Sequence, residues 1–165
     1  MPPDHAADRN RESEGRSSAS LVRDPIDPAA VLARVGGPRD GAVVLFLGTV
    51  RDHHDGRAVR GLTYEAYEEM ATAVLHELVQ GTLEGLREGS VHAVHRLGPL
   101  GIGEVAVAVA VSSPHRGPAF EAARLLMEEL KRRLPVWKHE YYAEGDSDWV
   151  AGVPLVPDSR PGSGK

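Results

Sequence analysis

Apolar and polar positions along this chain fall into blocks whose period switches between helical and extended. "DPIDPAAVLARVG" (24–36) predicts a short helix, capped by Asp27, opened by Pro28 at its first position and closed by glycines. "GAVVLFLGTV" (41–50) is a continuous apolar run bounded by glycine, the pattern of a buried strand. It leads into "RDHHDGR" (51–57), a polar loop with an Asp-Gly turn signal, and "VRGLTYEAY" (59–67) alternates as a returning strand. "EEMATAVLHELVQGTLEGL" (68–86) carries Met70, Val74, Leu75 and Leu78 at helical spacing, despite an internal glycine. "SVHAVHRLGPL" (90–100) reads as a strand and a turn, and "GEVAVAVAVSS" (103–113) as a strand whose small alanines allow close packing. "GPAFEAARLLMEELKRRLP" (117–135) is the strongest helix, with a stripe of Phe120, Ala123, Met127, Leu130 and Leu134 and a stop at Pro135. "VWKHEYY" (136–142) returns to a strand.

The order α, β, β, α, β, β, α, β predicts an α+β layered fold, with helices packed on mostly antiparallel strands. Residues 1–20 are polar and end in "SSAS", so they are expected to be a disordered leader. Residues 21–152 form a single expected domain, and 153–165 a flexible C-terminal tail.

Composition narrows the function. A chain of 165 residues is long enough for one domain with a proper core. Aromatics make up 5%, so Val, Leu and Ala must build that core. A net charge of −5 argues against general binding to nucleic acid or membrane surfaces, so attraction for anions must be local. With no cysteine, disulfides, thiolate nucleophiles and Cys-ligated metal centres are excluded. "MPPDHAADRNRESEG" lacks the apolar stretch of a secretory signal, and no apolar run reaches the roughly 20 residues of a membrane span. The chain reads as cytoplasmic.

Four clusters carry candidate chemistry. Arg51 ends the apolar strand, where its head can reach a cleft or simply solvent. "DHHD" (52–55) offers His53 and His54 as metal ligands, but adjacent side chains on an extended segment point apart and no third ligand is spaced to help. In "SSPHRGPAF" (112–120), Pro118 at the first helical position would make Gly117 the N-cap. His115 and Arg116 would then lie just outside a helix N-terminus, a physically complete anion site. Finally, "LKRRLPVWKHE" (130–140) concentrates cations in an acidic chain. Helix-dipole compensation accounts for Lys131, Arg132 and Arg133, but not for Lys138 in the strand beyond the break. Val136 and Lys138 should share one face of that strand and Trp137 the other. A lysine flanked by other cations would have its ammonium form disfavoured, which suits proton transfer or nucleophilic use.

Together these residues resemble the large, catalytic subunit of molybdopterin synthase. The anchors are "GAVVLFLGTVRDH", "LTYEAYEEMA", "HRLGPLGIGEVAVAVAVSSPHRGPAFEA", "LKRRLPVWKHE" and a closing "WV", spanning about Gly41 to Val150. The resemblance implies an α/β hammerhead-like fold with an additional antiparallel sheet. It implies a homodimer that binds two small ubiquitin-like subunits, forming a heterotetramer. The implied reaction moves sulfur from the thiocarboxylate on a small subunit's C-terminal Gly-Gly to cyclic pyranopterin monophosphate, giving the molybdopterin dithiolene. No cofactor and no metal are implied, and the partner's sulfur removes the need for a thiol here. Carried over by motif, the substrate pocket would use Thr49, Val50, Arg51, His115, Arg116, Lys131, Lys138, His139 and Glu140. Lys131 and Lys138 match the catalytic lysines, and Phe46 and Met127 the apolar positions that line the pocket or tail channel. The chain departs from the family where Ala66 and Thr49 stand, positions often occupied by histidine and lysine.

Lys131 lies thirteen residues after Pro118, about 20 Å along a straight helix. His115 and Arg116 are therefore expected to reach Lys131 only from the second protomer of a dimer. The alternatives are a non-catalytic domain of the same fold that binds an anion or an acidic tail, and a metal-binding module built on His53 and His54.

Overall fold

The computed structural model describes residues 16–150. In chain order these form β1 (Ser17–Val22), α1 (Pro28–Leu32), β2 (Ala42–Thr49), β3 (His53–His54), β4 (Arg57–Ala66) and α2 (Glu68–Leu86). There follow β5 (Ser90–Arg96), β6 (Gly98–Gly101), β7 (Val105–Ser113), α3 (Arg116–Arg133), β8 (Val136–Tyr142) and β9 (Ser147–Val150). One sheet has the order β1-β5-β7-β2, antiparallel except where β1 runs parallel to β5. The second has the order β3-β4-β8-β9, with β6 also paired to β4, and is antiparallel throughout. The mixed α+β architecture of two largely antiparallel sheets is thus the one the patterning predicts.

The tight alternation of "VAVAVAV" is used on both faces of β7. Val107, Val109 and Val111 join Leu75, Val79, Leu126 and Leu130 of α2 and α3 in the main core. Ala108 and Ala110 turn the other way, where their small size lets Val31 of α1 approach. Helix α1 is set by the predicted cap, since Asp27 accepts a hydrogen bond from the Ala29 amide and Pro28 follows it. Gly98, with φ of 90°, makes the bend at which the chain leaves β5 of the first sheet and enters β6 of the second.

Several expectations need correction. Ser17–Val22 is a strand, so the ordered domain starts before residue 21. Its serines disguised it: Ser18 Oγ meets His92 Nδ1 at 2.7 Å, while Ala19 and Leu21 turn into the core. The rest of the expected leader (residues 1–15) and the expected tail (153–165) lie outside the described residues. "DHHDGR" is not a loop but a tight hairpin, in which His53 and His54 pair with Ala58 and Arg57 across a turn at Asp55 and Gly56. Both turn residues have positive φ, 46° and 76°, as two-residue hairpins require. Helix α3 starts two residues earlier than predicted, with His115 rather than Gly117 as N-cap. Pro118 falls third in the helix, where its missing N–H costs nothing because first-turn amides have no intrahelical partner. Phe120 and Met70, expected on buried stripes, are 63% and 50% exposed, and Ala119, Ala122, Leu126 and Ala71 take the inner positions.

Candidate active site

The strongest side-chain network in the second sheet is centred on Glu140. Alternation along β8 puts Lys138, Glu140 and Tyr142 on one face. Lys138 Nζ lies 2.9 Å from Glu140 Oε1. Oε2 is 2.7 Å from His54 Nδ1 and accepts a 3.0 Å hydrogen bond from the Tyr142 hydroxyl. The Arg57 guanidinium stacks 3.7 Å from the centre of the Tyr142 ring, backing the network from behind. Glu140 is 3% exposed. Burial alone would raise its pKa, but hydrogen bonds from Lys138, His54 and Tyr142 outweigh that and hold the carboxyl below its usual range. The neighbouring Tyr64 phenol is pushed up, first by burial and then by the Glu140 charge.

This network opens on a small cleft of about 60 Å³ lined by Thr49, Val50, Arg51, Tyr64, Lys138 and Glu140. A register shift at Gly48/Thr49 of β2 re-aims the chain there. Val50 is then locked by its own backbone, donating to Glu104 O at 3.0 Å and accepting from Gly103 N–H at 2.8 Å, with its side chain in a minor core beside Leu62 and Ala106. Arg51 follows at the rim, exposed and without an ion pair among the described residues. It is the cation best placed to meet an anion in this cleft.

Lys131 occupies a different feature. It lines an open groove of about 480 Å³ between β2 and α3, with Val44, Phe46, Phe120 and Met127 as its apolar wall. Phe46 is 40% exposed on an edge strand, an apolar surface beside a charge. The basic run around Lys131 separates cleanly. Arg132 is held by Glu129 at 2.7 Å and Arg133 by Glu77 at 2.6 Å, whereas Lys131 has no ion pair among the described residues. Dipole compensation and surface pairing explain the two arginines and leave the lysine available.

Not all expected residues gather here. His139 lies on the opposite face of β8, its ring stacked on Trp149 at 4.5 Å and 4.8 Å from Tyr141. His115 and Arg116 stand at the far end of α3, both exposed, and line neither the cleft nor the groove. The expectation that other cations flank Lys138 is also corrected: its close partner is a carboxylate, because period-2 alternation selects Glu140 and discards His139. Sequence reasoning missed Tyr64 and Tyr142, and weighed His54 only as a metal ligand. The "KHEYY" alternation could have found Tyr142, but His54 depends on a hairpin pairing with no sequence-local signal. That same contact turns His54 inward onto Glu140, while His53 pairs with Asp52 at 2.8 Å. Among the described residues, no group of three or more His, Asp or Glu side chains is arranged to hold a metal ion. Nor is any described helix long and apolar enough to cross a membrane.

The fold and site define an α+β protein with a lysine–carboxylate pair in one cleft, an arginine at its rim, and a second lysine in an apolar groove. Comparison with known proteins places that class. The family model of the MoaE protein matches residues 21–133. The chain is 43% identical over 135 residues to molybdopterin synthase catalytic subunit 1 of Mycobacterium tuberculosis, covering 81% of this chain and 90% of that one. The crystal structure of molybdopterin synthase from Staphylococcus aureus superposes with a TM-score of 0.75 at 36% identity, covering 79% of this chain and 95% of its own. A complex of subunits 1 and 2 of molybdopterin-converting factor from Helicobacter pylori shares the fold, with a TM-score of 0.66 at 20% identity over 83% of this chain and 94% of that one. The chain belongs to the MoaE family.

Proposed function

We propose that this chain is the catalytic subunit of a molybdopterin synthase, a sulfurtransferase of molybdenum-cofactor biosynthesis. Its substrate would be cyclic pyranopterin monophosphate, and its sulfur donor the C-terminal Gly-Gly thiocarboxylate of a small ubiquitin-like subunit. The observation that supports this reading is the separate placement of the two lysines. Lys138 sits on a buried carboxylate beside Arg51, and Lys131, without an ion pair among the described residues, lines an apolar groove.

The groove suits an extended, side-chain-poor tail, with Phe46 and Met127 as its walls and Lys131 meeting the negative thiocarboxylate. Attack of that sulfur on a side-chain carbon would form a C–S bond as the C–O bond there breaks and its oxygen takes a proton. Water would then cleave the acyl–sulfur bond, leaving the tail's glycine as a carboxylate. Ammonium groups can stabilise the developing negative charge and exchange those protons. Glu140 would anchor Lys138 and His54, so that the lysine is held towards the reacting atoms. Arg51 would take the substrate phosphate through bidentate hydrogen bonds.

A cleft of about 60 Å³ is far below the roughly 300–1,000 Å³ of small-molecule sites, so the pterin needs further walls. A second copy of the chain, presenting its His115 and Arg116 from the N-terminus of α3, supplies them in this reading. The working assembly is then a homodimer carrying two small subunits, with no nucleic acid or membrane involved and a cytoplasmic location.

The test is turnover of cyclic pyranopterin monophosphate with a thiocarboxylated small subunit, comparing wild type with Lys131→Ala and Lys138→Ala. Dithiolene product from wild type, lost in both variants while the complex still forms, is the expected result. A well-formed complex that yields no product from wild type would move the function to a non-catalytic domain binding an anion or an acidic tail.

A further inference from the structure

A second concentration of cations faces a separate cleft of about 530 Å³, where the chain leaves α1 and where α2 meets β5. Its charged lining is Arg16, Arg34, Arg39 and Arg87 against Asp40 and Glu88. Asp40 is fixed in position, and keeps its charge, by accepting a 2.8 Å hydrogen bond from Ser112 Oγ, which itself meets Ser90 Oγ at 2.6 Å. Arg16 spends its donors on the carbonyls of Gly89 (2.6 Å) and Arg87 (3.2 Å), which fixes its position without neutralising it. Arg34, Arg39 and Arg87 have no ion pair among the described residues. In a protein of net charge −5, four guanidinium groups against two carboxylates make this cleft locally positive, which favours an anion.

The walls are also held in place. Arg87 has a φ of 66°, unusual for a residue with a side chain, and Arg16 holds its carbonyl. Gly89, with φ of 124°, lies so close to β7 that an added Cβ would stand 1.9 Å from Ser112 O. Across the cleft, the Gly36 amide donates to Ser90 Oγ at 3.0 Å, tying the glycine loop to the same serines.

We propose that this cleft binds a small phosphorylated anion, with a diphosphate matching the number of guanidinium groups best. Guanidinium forks fit phosphate oxygens in pairs, and the cleft volume falls within the usual range for small-molecule sites. The site is distinct from the lysine cleft, although Pro114 closes one end and the next residues are His115 and Arg116.

The experiment is calorimetric titration of the full chain with inorganic pyrophosphate at low ionic strength, using wild type, an Arg34→Gln/Arg39→Gln double variant, Arg51→Gln and Arg116→Gln. Both arginines of the double variant are exposed, so a thermal melt matching wild type is expected to confirm its fold. The expected result is saturable binding that weakens at least about tenfold in the double variant, with any loss in Arg51→Gln or Arg116→Gln clearly smaller. Absence of saturable binding, or equal affinity in the double variant, overturns the proposal. So does loss confined to Arg51→Gln or Arg116→Gln, which would place the anion beside Lys138 or at the α3 N-terminus. Tighter binding of a poly-glutamate peptide than of pyrophosphate would also overturn it, in favour of an acidic peptide.

Discussion

At the scale of single residues, two carboxylate oxygens serve three donors: Glu140 meets Lys138, His54 and Tyr142 at 2.9, 2.7 and 3.0 Å. Glu140→Gln keeps the shape but removes the charge and turns one oxygen into a donor facing other donors. Stability is expected to fall by about 1–3 kcal/mol. Turnover should fall at least about tenfold at a temperature where both proteins are folded, because Lys138 loses its anchor. An unchanged turnover number would show that the anchor has no part in the chemistry. His95 yields a second residue-scale prediction. It is 7% exposed, its Nδ1 lies 2.9 Å from Arg96 O, and burial lowers its pKa to about 4. The unfolded chain takes up a proton near pH 6.5 and the folded chain only near 4, so stability is full above that window and falls as pH drops through it. The loss is about 3 kcal/mol from this group alone. Glu140 acts in the same direction at lower pH, since its depressed pKa gives stability that is lost as the carboxylate protonates. Urea titrations across pH 7 to 4 should show the decline in wild type and a shallower one in His95→Gln.

At the scale of elements, α2 carries an avoidable cost. Gly81 lies inside the helix, and a Cβ added there would meet nothing within 4 Å. Gly81→Ala is therefore expected to stabilise the protein by about 1 kcal/mol, read as a higher melting temperature. Gly89→Ala should do the opposite, because of its positive φ and the clash with Ser112 O. The existence of "VAVAVAVSS", "GAVVLFLGTV" and the two long helices was legible in their own residues, but "GAVVLFLGTV" is a half-exposed edge strand rather than a buried one, and the helices turn Met70 and Phe120 outward. Elements defined by a distant partner were not legible. β1 exists because β5 offers it a parallel edge, and β3 because Arg57 and Ala58 return alongside it. The site divides along the same line. Arg51 at a strand end, Lys138 with Glu140 on one strand face, and Phe46, Met127 and Lys131 around one groove follow from local spacing and resemblance. His54 follows only from the hairpin, and the turning of His139 towards Trp149 only from pairing with β9.

At the scale of the whole molecule, the relation that matters most is between the two ends of α3. The helix has 18 residues, roughly 27 Å of rise, with His115 and Arg116 at one end and Lys131 at the other. A rigid helix cannot fold back to bring these groups into one small-molecule site. If all of them act on one substrate, two chains must contribute, and complementation between defective chains becomes possible. An Arg116→Ala homodimer and a Lys131→Ala homodimer should each be nearly inactive. After subunit exchange, every mixed dimer would have one doubly defective pocket and one intact pocket. Random mixing of equal amounts should then restore about a quarter of wild-type activity, because half the dimers are mixed and half of their pockets are intact. If each pocket were built from one chain, mixing would restore nothing, since every chain carries a defect. Exchange must be followed separately, for example by mass spectrometry of differently tagged chains. Full exchange without recovered turnover would rule out a pocket shared between two chains.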